Sequence, residues 1–411
     1  MRSFAPLSFF ALIAACGSSS GGTSTPPAPF TGTPGQPIAV TNVTDVLVVD
    51  LSVNGVKGSA IVDTGSPVVV LDPGSFVGAG LPDGPGPVDS LVVGALTFPN
   101  ADVLGADLIM SPDPTIPVGG SLGCAVLCDF ALSLDYRDSK ITLGAGALPA
   151  NVESPGASVP FALMGGGSVE FPGVPGVVLF PISRVMLTVT VEGAEHTFAV
   201  DTGSSFVTVR QSIFNGLVAD GRTTIGGVAT ATVGMPSTSA LARLRSFDVG
   251  GVEIDGAVMA DDPALDQTLD EVAAEIGEPI DGLVGGSFLR NFFVTVDYPN
   301  TTLRLQRYTK GAPTFDLFDR VGVGINPGTD GTSPSVAGVF AGTDAAKLGV
   351  ANGDVIVAID GHPLAKLGPS ALNALLAGPL GSTKTVEFGI ASSASLSMKT
   401  VTLGVDDILA L

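Results

Sequence analysis

Histidine is almost missing from this chain of 411 residues. His196 and His362 are the only two, which rules out a His-rich metal centre. Each reads as a solvated loop residue, and neither a metal nor a cofactor is expected. Basic residues are scarce as well: 18 Lys and Arg stand against 39 Asp and Glu, for a formal charge of −21. A polyanion of that size is repelled by nucleic acid and by anionic membrane surfaces, which removes both as partners; most of these acids serve solubility. Cysteine is limited to Cys16, Cys124 and Cys128. With no histidine near the last two in sequence, they read neither as metal ligands nor as a nucleophile. A local disulfide in an oxidising compartment and two small buried thiols both fit their spacing. The longest N-terminal apolar run, residues 4–15, is too short for a spanning helix.

Glycine (55) and proline (31) are abundant, hydrophobic residues make up 45% and charged residues 14%. That balance suits a mainly β protein with many turns. At the N-terminus Arg2 precedes the apolar run, which closes on Ile13-Ala14-Ala15-Cys16. This ending resembles the lipobox of bacterial lipoproteins. The resemblance implies removal of residues 1–15 and a lipid thioether on Cys16, the only link to a membrane. Residues 16–38, rich in Gly, Ser, Thr and Pro, read as a flexible tether. With no Asp after Cys16, the expected location is the bacterial envelope, at the outer membrane.

The informative feature is a duplication. Val62-Asp63-Thr64-Gly65-Ser66 recurs as Val200-Asp201-Thr202-Gly203-Ser204. One such triplet means little, because Asp and Gly are ordinary turn residues. The same offset of 138 residues, however, places Val53 on Val191, Gly55 on Gly193 and Val69 on Val207 without a gap. A second block repeats at an offset of 162, carrying Gly123, Leu127, Phe130, Asp135 and Tyr136 onto Gly285, Leu289, Phe292, Asp297 and Tyr298. Repeats of about 20–50 residues build stacked arrays. This far longer one implies two similar lobes, each presenting one Asp to a shared site on a pseudo-two-fold axis. Both halves lie in one chain, so a monomer suffices.

Within each copy, short apolar runs alternate with turns. Asn54-Gly55 between two such runs is a hairpin signal, and Glu192-Gly193 occupies the same place in the second copy. Between Leu71 and Leu91 the first copy has Pro73, Pro82, Pro85 and Pro87, poor material for a hairpin. The second copy instead has an alternating stretch at 228–233 and an acidic helical segment at 266–276. Residues 39–150 and 183–310 are thus the two lobes, with 151–182 as a Gly- and Pro-rich connection.

Residues 311–411 carry another pattern: Val321-Gly322-Val323-Gly324-Ile325, then Asp344-Ala345-Ala346-Lys347-Leu348-Gly349, then Asn352-Gly353-Asp354-Val355-Ile356 through Asp360-Gly361. These strings resemble a bacterial PDZ domain, an α+β module. The resemblance implies capture of C-terminal peptide tails by strand addition, with Val321 to Ile325 as the carboxylate-binding loop. The two glycines would let consecutive backbone N–H groups turn toward one anion as a nest.

Two carboxylates within hydrogen-bond reach cannot both ionise easily and hold one proton between them. One oxygen can then take a proton from a bound water while the other carboxyl protonates a substrate carbonyl. The duplicated residues resemble the pepsin/retropepsin superfamily of aspartic proteases. That resemblance implies a bilobal fold of two β-barrel-like lobes acting as an endopeptidase on protein or peptide substrates. Asp63 and Asp201 would be the catalytic pair, and Thr64 and Thr202 a grip across the axis. Gly65 and Gly203 would give close backbone passage, and Ser66 and Ser204 would hold the outer carboxylate oxygens. Leu283-Val284-Gly285 matches the family's hydrophobic-hydrophobic-Gly support; in its first-lobe partner, Ser121-Leu122-Gly123, Ser stands where an apolar residue is expected. No flap Tyr lies between Leu71 and Leu91, as pepsin-like members have, so a flap falls to the second lobe. The alternative is a non-catalytic peptide-binding lipoprotein that keeps the cleft without turnover. A paired-acid glycosidase fits less well, since its carboxyl groups stand about 5–9.5 Å apart around a sugar ring.

Overall fold

Asn54 and Gly55 both take positive φ, 49° and 83°, and Glu192 and Gly193 take 47° and 89°. Two such residues in succession make the tight turn that matches strand twist. They join Val46–Val53 to Val56–Val62 in the first lobe and Arg184–Val191 to Ala194–Val200 in the second. The computed structural model describes residues 30–106, 118–170, 177–180, 182–232, 235–309, 316–326, 333–364, 367–392 and 395–411. Cys16 and the leader before it lie outside these residues. The chain forms two mainly β compact units that divide near residue 312.

The first unit contains both lobes. Each Asp-bearing hairpin runs beside a three-residue strand, Gly120–Leu122 in one lobe and Gly282–Val284 in the other. Each short strand pairs parallel to the strand before the Asp and antiparallel to the strand after it, Val69–Leu71 or Val207–Val209. Equivalent residues share register: Ser121 lies opposite Ile61 and Val70, and Leu283 lies opposite Ala199 and Thr208. The lobes meet through the other duplicated block. Ala131–Asp135 pairs antiparallel with Phe292–Asp297, and Ser133 faces its own repeat mate Thr295 with the hydroxyls 3.1 Å apart. A pair separated by the repeat offset and lying opposite itself marks the pseudo-two-fold axis. One hydrophobic core extends through both lobes, with Leu47, Val62, Leu122, Val200, Val284 and Phe288 all fully buried.

Three expectations need correction. Pro85 and Pro87 do enter a strand, Gly84–Val93, which forms a long hairpin with Leu96–Gly105. It ends the sheet order there, and prolines are tolerated on such edges. Residues 151–182 are more than a connection. Ala157–Pro160 adds to the inter-lobe sheet against Thr302–Arg307, and Ala162–Met164 pairs with the strand Arg184–Val191. His196 is no loop residue. It sits half-buried in Ala194–Val200, its Nδ1 3.1 Å from Asp281 Oδ2. Of the two readings left open for Cys124 and Cys128, the disulfide is the one found, across the short helix Cys124–Leu127.

The lobes are unequal, as expected. The second has a hairpin, Ile225–Thr232 with Met235–Arg243, whose first strand lacks a first-lobe counterpart. It also has the helix Pro263–Ile276, started by Asp262, whose side chain accepts from the Ala264 N–H, and ended by Gly277 at φ 78°. Under that helix Leu265, Leu269, Val272 and Ile280 pack with Met186 and Ala199, and Leu283 joins them. Among the described residues no helix is long and apolar enough to cross a membrane.

The second unit is α+β, with its own core of Val321, Val323, Ile356, Leu372, Phe388 and Leu403. Its sheet runs from Asp319–Val321 through Ser395–Asp407, Thr383–Ser392, Val355–Ile359 and Ser335–Val339 to Val323–Asn326, which is therefore an edge strand. The helix Pro369–Leu376 contributes Leu372 and Leu376 to the core.

Candidate functional site

The backbone N–H groups of Asp63 and Asp201 donate to Leu122 O and Val284 O, each at 3.1 Å, so each short strand fixes the start of an Asp loop. Gly123 and Gly285 follow those strands. A Cβ on either would collide with the loop carbonyls of Ser66 and Val68, or of Ser204 and Phe206. Past them, the N–H of Cys124 donates to Ser66 O at 2.9 Å and that of Gly286 to Ser204 O at 2.8 Å.

Thr64 and Thr202, both fully buried, lock the loops together. Thr64 Oγ1 accepts the Thr202 N–H at 3.1 Å and donates to Val200 O at 2.8 Å. Thr202 Oγ1 accepts the Thr64 N–H at 3.1 Å and donates to Val62 O at 2.6 Å. Every polar group of this reciprocal set is satisfied, which is what makes a buried polar network stabilising.

The lock brings Asp63 and Asp201 together on the axis, each carboxyl lying against the glycine of the other's loop. A Cβ on Gly65 would lie 2.8 Å from Asp201 Cγ, and one on Gly203 2.9 Å from Asp63 Cγ, so only glycine fits at either position. Asp63 Oδ1 accepts the N–H groups of Gly65 at 2.9 Å and Ser66 at 3.1 Å; Asp201 Oδ1 accepts that of Gly203 at 2.8 Å. Both side chains keep some contact with solvent while protein surrounds them elsewhere. Burial pushes the Asp63 carboxyl above the usual carboxylate range, against several hydrogen bonds that pull it down. Asp201 is pushed well above that range, by burial and then by the negative charge of Asp63. The pair therefore holds a proton where an isolated carboxylate would not.

Ser66 and Ser204 act otherwise than expected. Their hydroxyls turn back into their own loops, donating to Val68 O at 2.9 Å and Phe206 O at 3.0 Å. The outer oxygen of Asp63 is held instead by Ser121, whose Oγ donates to Oδ2 at 2.9 Å. Ser121 reads as a flaw in the sequence pattern, yet it completes the contacts of Asp63. Position 283, its register mate, offers no such donor because it is leucine.

Two tyrosines of the second repeat block also flank the pair. The Tyr136 and Tyr298 hydroxyls are buried without a hydrogen-bond partner among the described residues. Both are pushed above their ordinary range, first by burial, with Asp201 acting on Tyr136 and both carboxylates on Tyr298.

In the second unit, Val321 ends one strand and Val323, Gly324 and Ile325 begin the next. Neither Gly322 nor Gly324 takes a positive φ, so this stretch is extended and its N–H groups do not form the expected nest. Gly322 is needed for space, since a Cβ there would meet the Thr343 side chain. Beside it lies a residue that sequence reading missed. Arg320 is buried, its Nη1 donates to Asn373 Oδ1 at 2.8 Å, and its Nε and Nη2 have no partner among the described residues. Burial pushes the guanidinium down to about 10. Buried cations are normally paired, so this one marks a place where an anion would be welcome.

Comparison with known proteins adds a partial match. Residues 187–288 fit the family model described as aspartyl protease. That stretch includes the Asp201 loop, the helix beside it and Leu283-Val284-Gly285; the first lobe lies outside it. Among solved structures, an aspartic proteinase from Irpex lacteus aligns at 16% identity over 67% of this chain and 99% of its own, with a TM-score of 0.41. A PDZ domain of a carboxy-terminal protease from Vibrio cholerae, solved in complex with a peptide, aligns at 19% identity over 21% of this chain and 90% of its own, with a TM-score of 0.19. No curated protein matches the chain.

Proposed function

We propose that this chain is an aspartic-type endopeptidase of pepsin/retropepsin type, in which Asp63 and Asp201 activate a water for attack on a peptide carbonyl. The observation that carries this reading is the pair of facing carboxyls held on the axis by the Thr64–Thr202 lock. A binding cleft gains nothing from two carboxylates in contact, whereas acid–base hydrolysis needs both a proton acceptor and a proton donor at one point. The ionised carboxyl takes a proton from the water while the protonated one donates to the carbonyl oxygen. The resulting tetrahedral species collapses with proton return to the leaving amine. The aspartyl protease match over the second lobe supports the same reading.

Two further parts belong to this proposal. The second unit captures peptide C-termini, as a PDZ-like module would, along the edge strand Val323–Asn326 with Arg320 as the countercharge to the carboxylate. Residues 1–15 are removed as a leader, and Cys16 then anchors the protein to the bacterial outer membrane by a lipid. Cleavage of a peptide library by the full chain tests the central part. Asp63→Asn and Asp201→Asn should each abolish turnover with the fold retained by circular dichroism. Wild-type rates in either variant would remove that residue from the chemistry.

A further inference from the structure

The two halves of the site differ in one side-chain contact. Asp63 Oδ2 receives the Ser121 hydroxyl at 2.9 Å, and Ser121 is buried at 3% exposure in the strand Gly120–Leu122. The matching residue of the other lobe, in the same register beside Ala199, is Leu283, which packs with the hydrophobic cluster beneath the helix Pro263–Ile276. The Ser204 hydroxyl does not balance the arrangement: it donates to Phe206 O and meets Thr208 Oγ1 at 3.2 Å. Among the described residues, the pair therefore has a hydroxyl donor on one carboxyl only.

A hydroxyl donating to a carboxyl oxygen favours the ionised form of that carboxyl. We infer that Ser121 is a positioning residue that breaks the symmetry of the pair, keeping Asp63 as the ionised partner and leaving the shared proton on Asp201. This rests on the protease reading, and within it assigns the roles: Asp63 is the base toward water and Asp201 the acid toward the carbonyl oxygen. Burial raises both carboxyls, so the pair retains a proton for Ser121 to place. The other titratable groups facing the pair are Tyr136, following Ala131–Asp135, and Tyr298, following Phe292–Asp297. Asp45 acts on Tyr136 and is itself 3.6 Å from Arg290. Neither tyrosine hydroxyl has a hydrogen-bond partner among the described residues, so neither supplies a donor to either carboxyl.

The assignment has a signature that a merely structural serine lacks. In the active, singly protonated pair Asp63 is already ionised, so Ser121 stabilises the product of the first proton loss. In the second loss, from Asp201, Ser121 bonds an ionised Asp63 before and after. Ser121→Ala should then raise the acid limb of the kcat/KM pH profile by about one unit, the scale of one hydrogen bond to a charged group, and leave the basic limb in place. Ser121→Thr, which keeps the hydroxyl, should restore the wild-type limb. The same two steps are followed without turnover by carboxyl carbon NMR of the full chain, with Asp63→Asn and Asp201→Asn assigning the signals. A first step that rises in Ser121→Ala while the second stays supports the inference. A second step that rises instead would place the proton on Asp63 and overturn it, as would two unmoved steps. Absence of peptide cleavage in the wild type alongside the expected NMR shift would reject the protease reading while leaving the proton assignment intact.

Discussion

At the scale of single residues, the threonine lock shows why the site is rigid. Each Oγ1 accepts one N–H and donates to one carbonyl across the axis, and all four bonds are buried. Thr202→Val keeps the shape while leaving the Thr64 N–H and Val62 O unsatisfied. That should cost on the order of 2–4 kcal/mol in urea unfolding, since each buried unpaired group costs about 1–3 kcal/mol. A cost below about 0.5 kcal/mol, the scale of an ordinary surface substitution, would mean that the lock is not formed. The serines beside the lock were harder to read. Hydroxyl donation from Ser66 and Ser204 to the carboxylates is chemically reasonable, but each hydroxyl has a nearer acceptor within its own loop. Ser121 was illegible for the opposite reason, because its value comes from a residue 58 positions away.

At the scale of elements, what could be read was local. Asn54-Gly55 announces a hairpin because Asn and Gly both tolerate positive φ, Glu192-Gly193 is legible through the repeat, and the helix Pro263–Ile276 is bounded by its own cap residues. Pairings between distant segments could not be read, which is why Ala157–Pro160 passed for connection and Gly84–Val93 for a broken stretch. The second-lobe hairpin was visible as alternation, and a register shift between Ile225 and Val228, at Gly226 and Gly227, bends its first strand. The edge strand Val323–Asn326 and Arg320 pose a sharper test. Removing a buried unpaired cation relieves its desolvation. Arg320→Met in the full chain should therefore raise the melting temperature while weakening binding of free-acid peptides. Amidated peptides should bind weakly to both proteins. Equal affinity of free-acid and amidated peptides for the wild type would show that this unit does not capture termini.

At the scale of the whole molecule, the duplication explains both the fold and its energetic cost. Two copies related by one axis deliver two carboxyls to one point, within a chain of net charge −21. Both carboxyls titrate above their unfolded value of about 3.8. The folded state therefore binds protons more tightly than the unfolded one. Their contribution to stability is complete below that value and is lost as pH rises through the folded pKa. Asp201→Asn removes a group whose ionisation the folded state opposes. It should be more stable than the wild type at pH 7, with the gap narrowing as pH falls toward the unfolded carboxyl value of 3.8. Thermal melts at the two pH values check this, and equal melting temperatures at pH 7 would contradict a strained pair.

The central claim is that Asp63 and Asp201 act as one singly protonated acid–base pair. The pH dependence of kcat/KM for peptide cleavage tests it most directly, measured for the wild type beside Asp63→Asn and Asp201→Asn. The account predicts a bell whose two limbs belong to the pair and not to either residue alone, with no turnover in either variant at any pH. A single-limbed profile, or cleavage that persists in either variant, would contradict it.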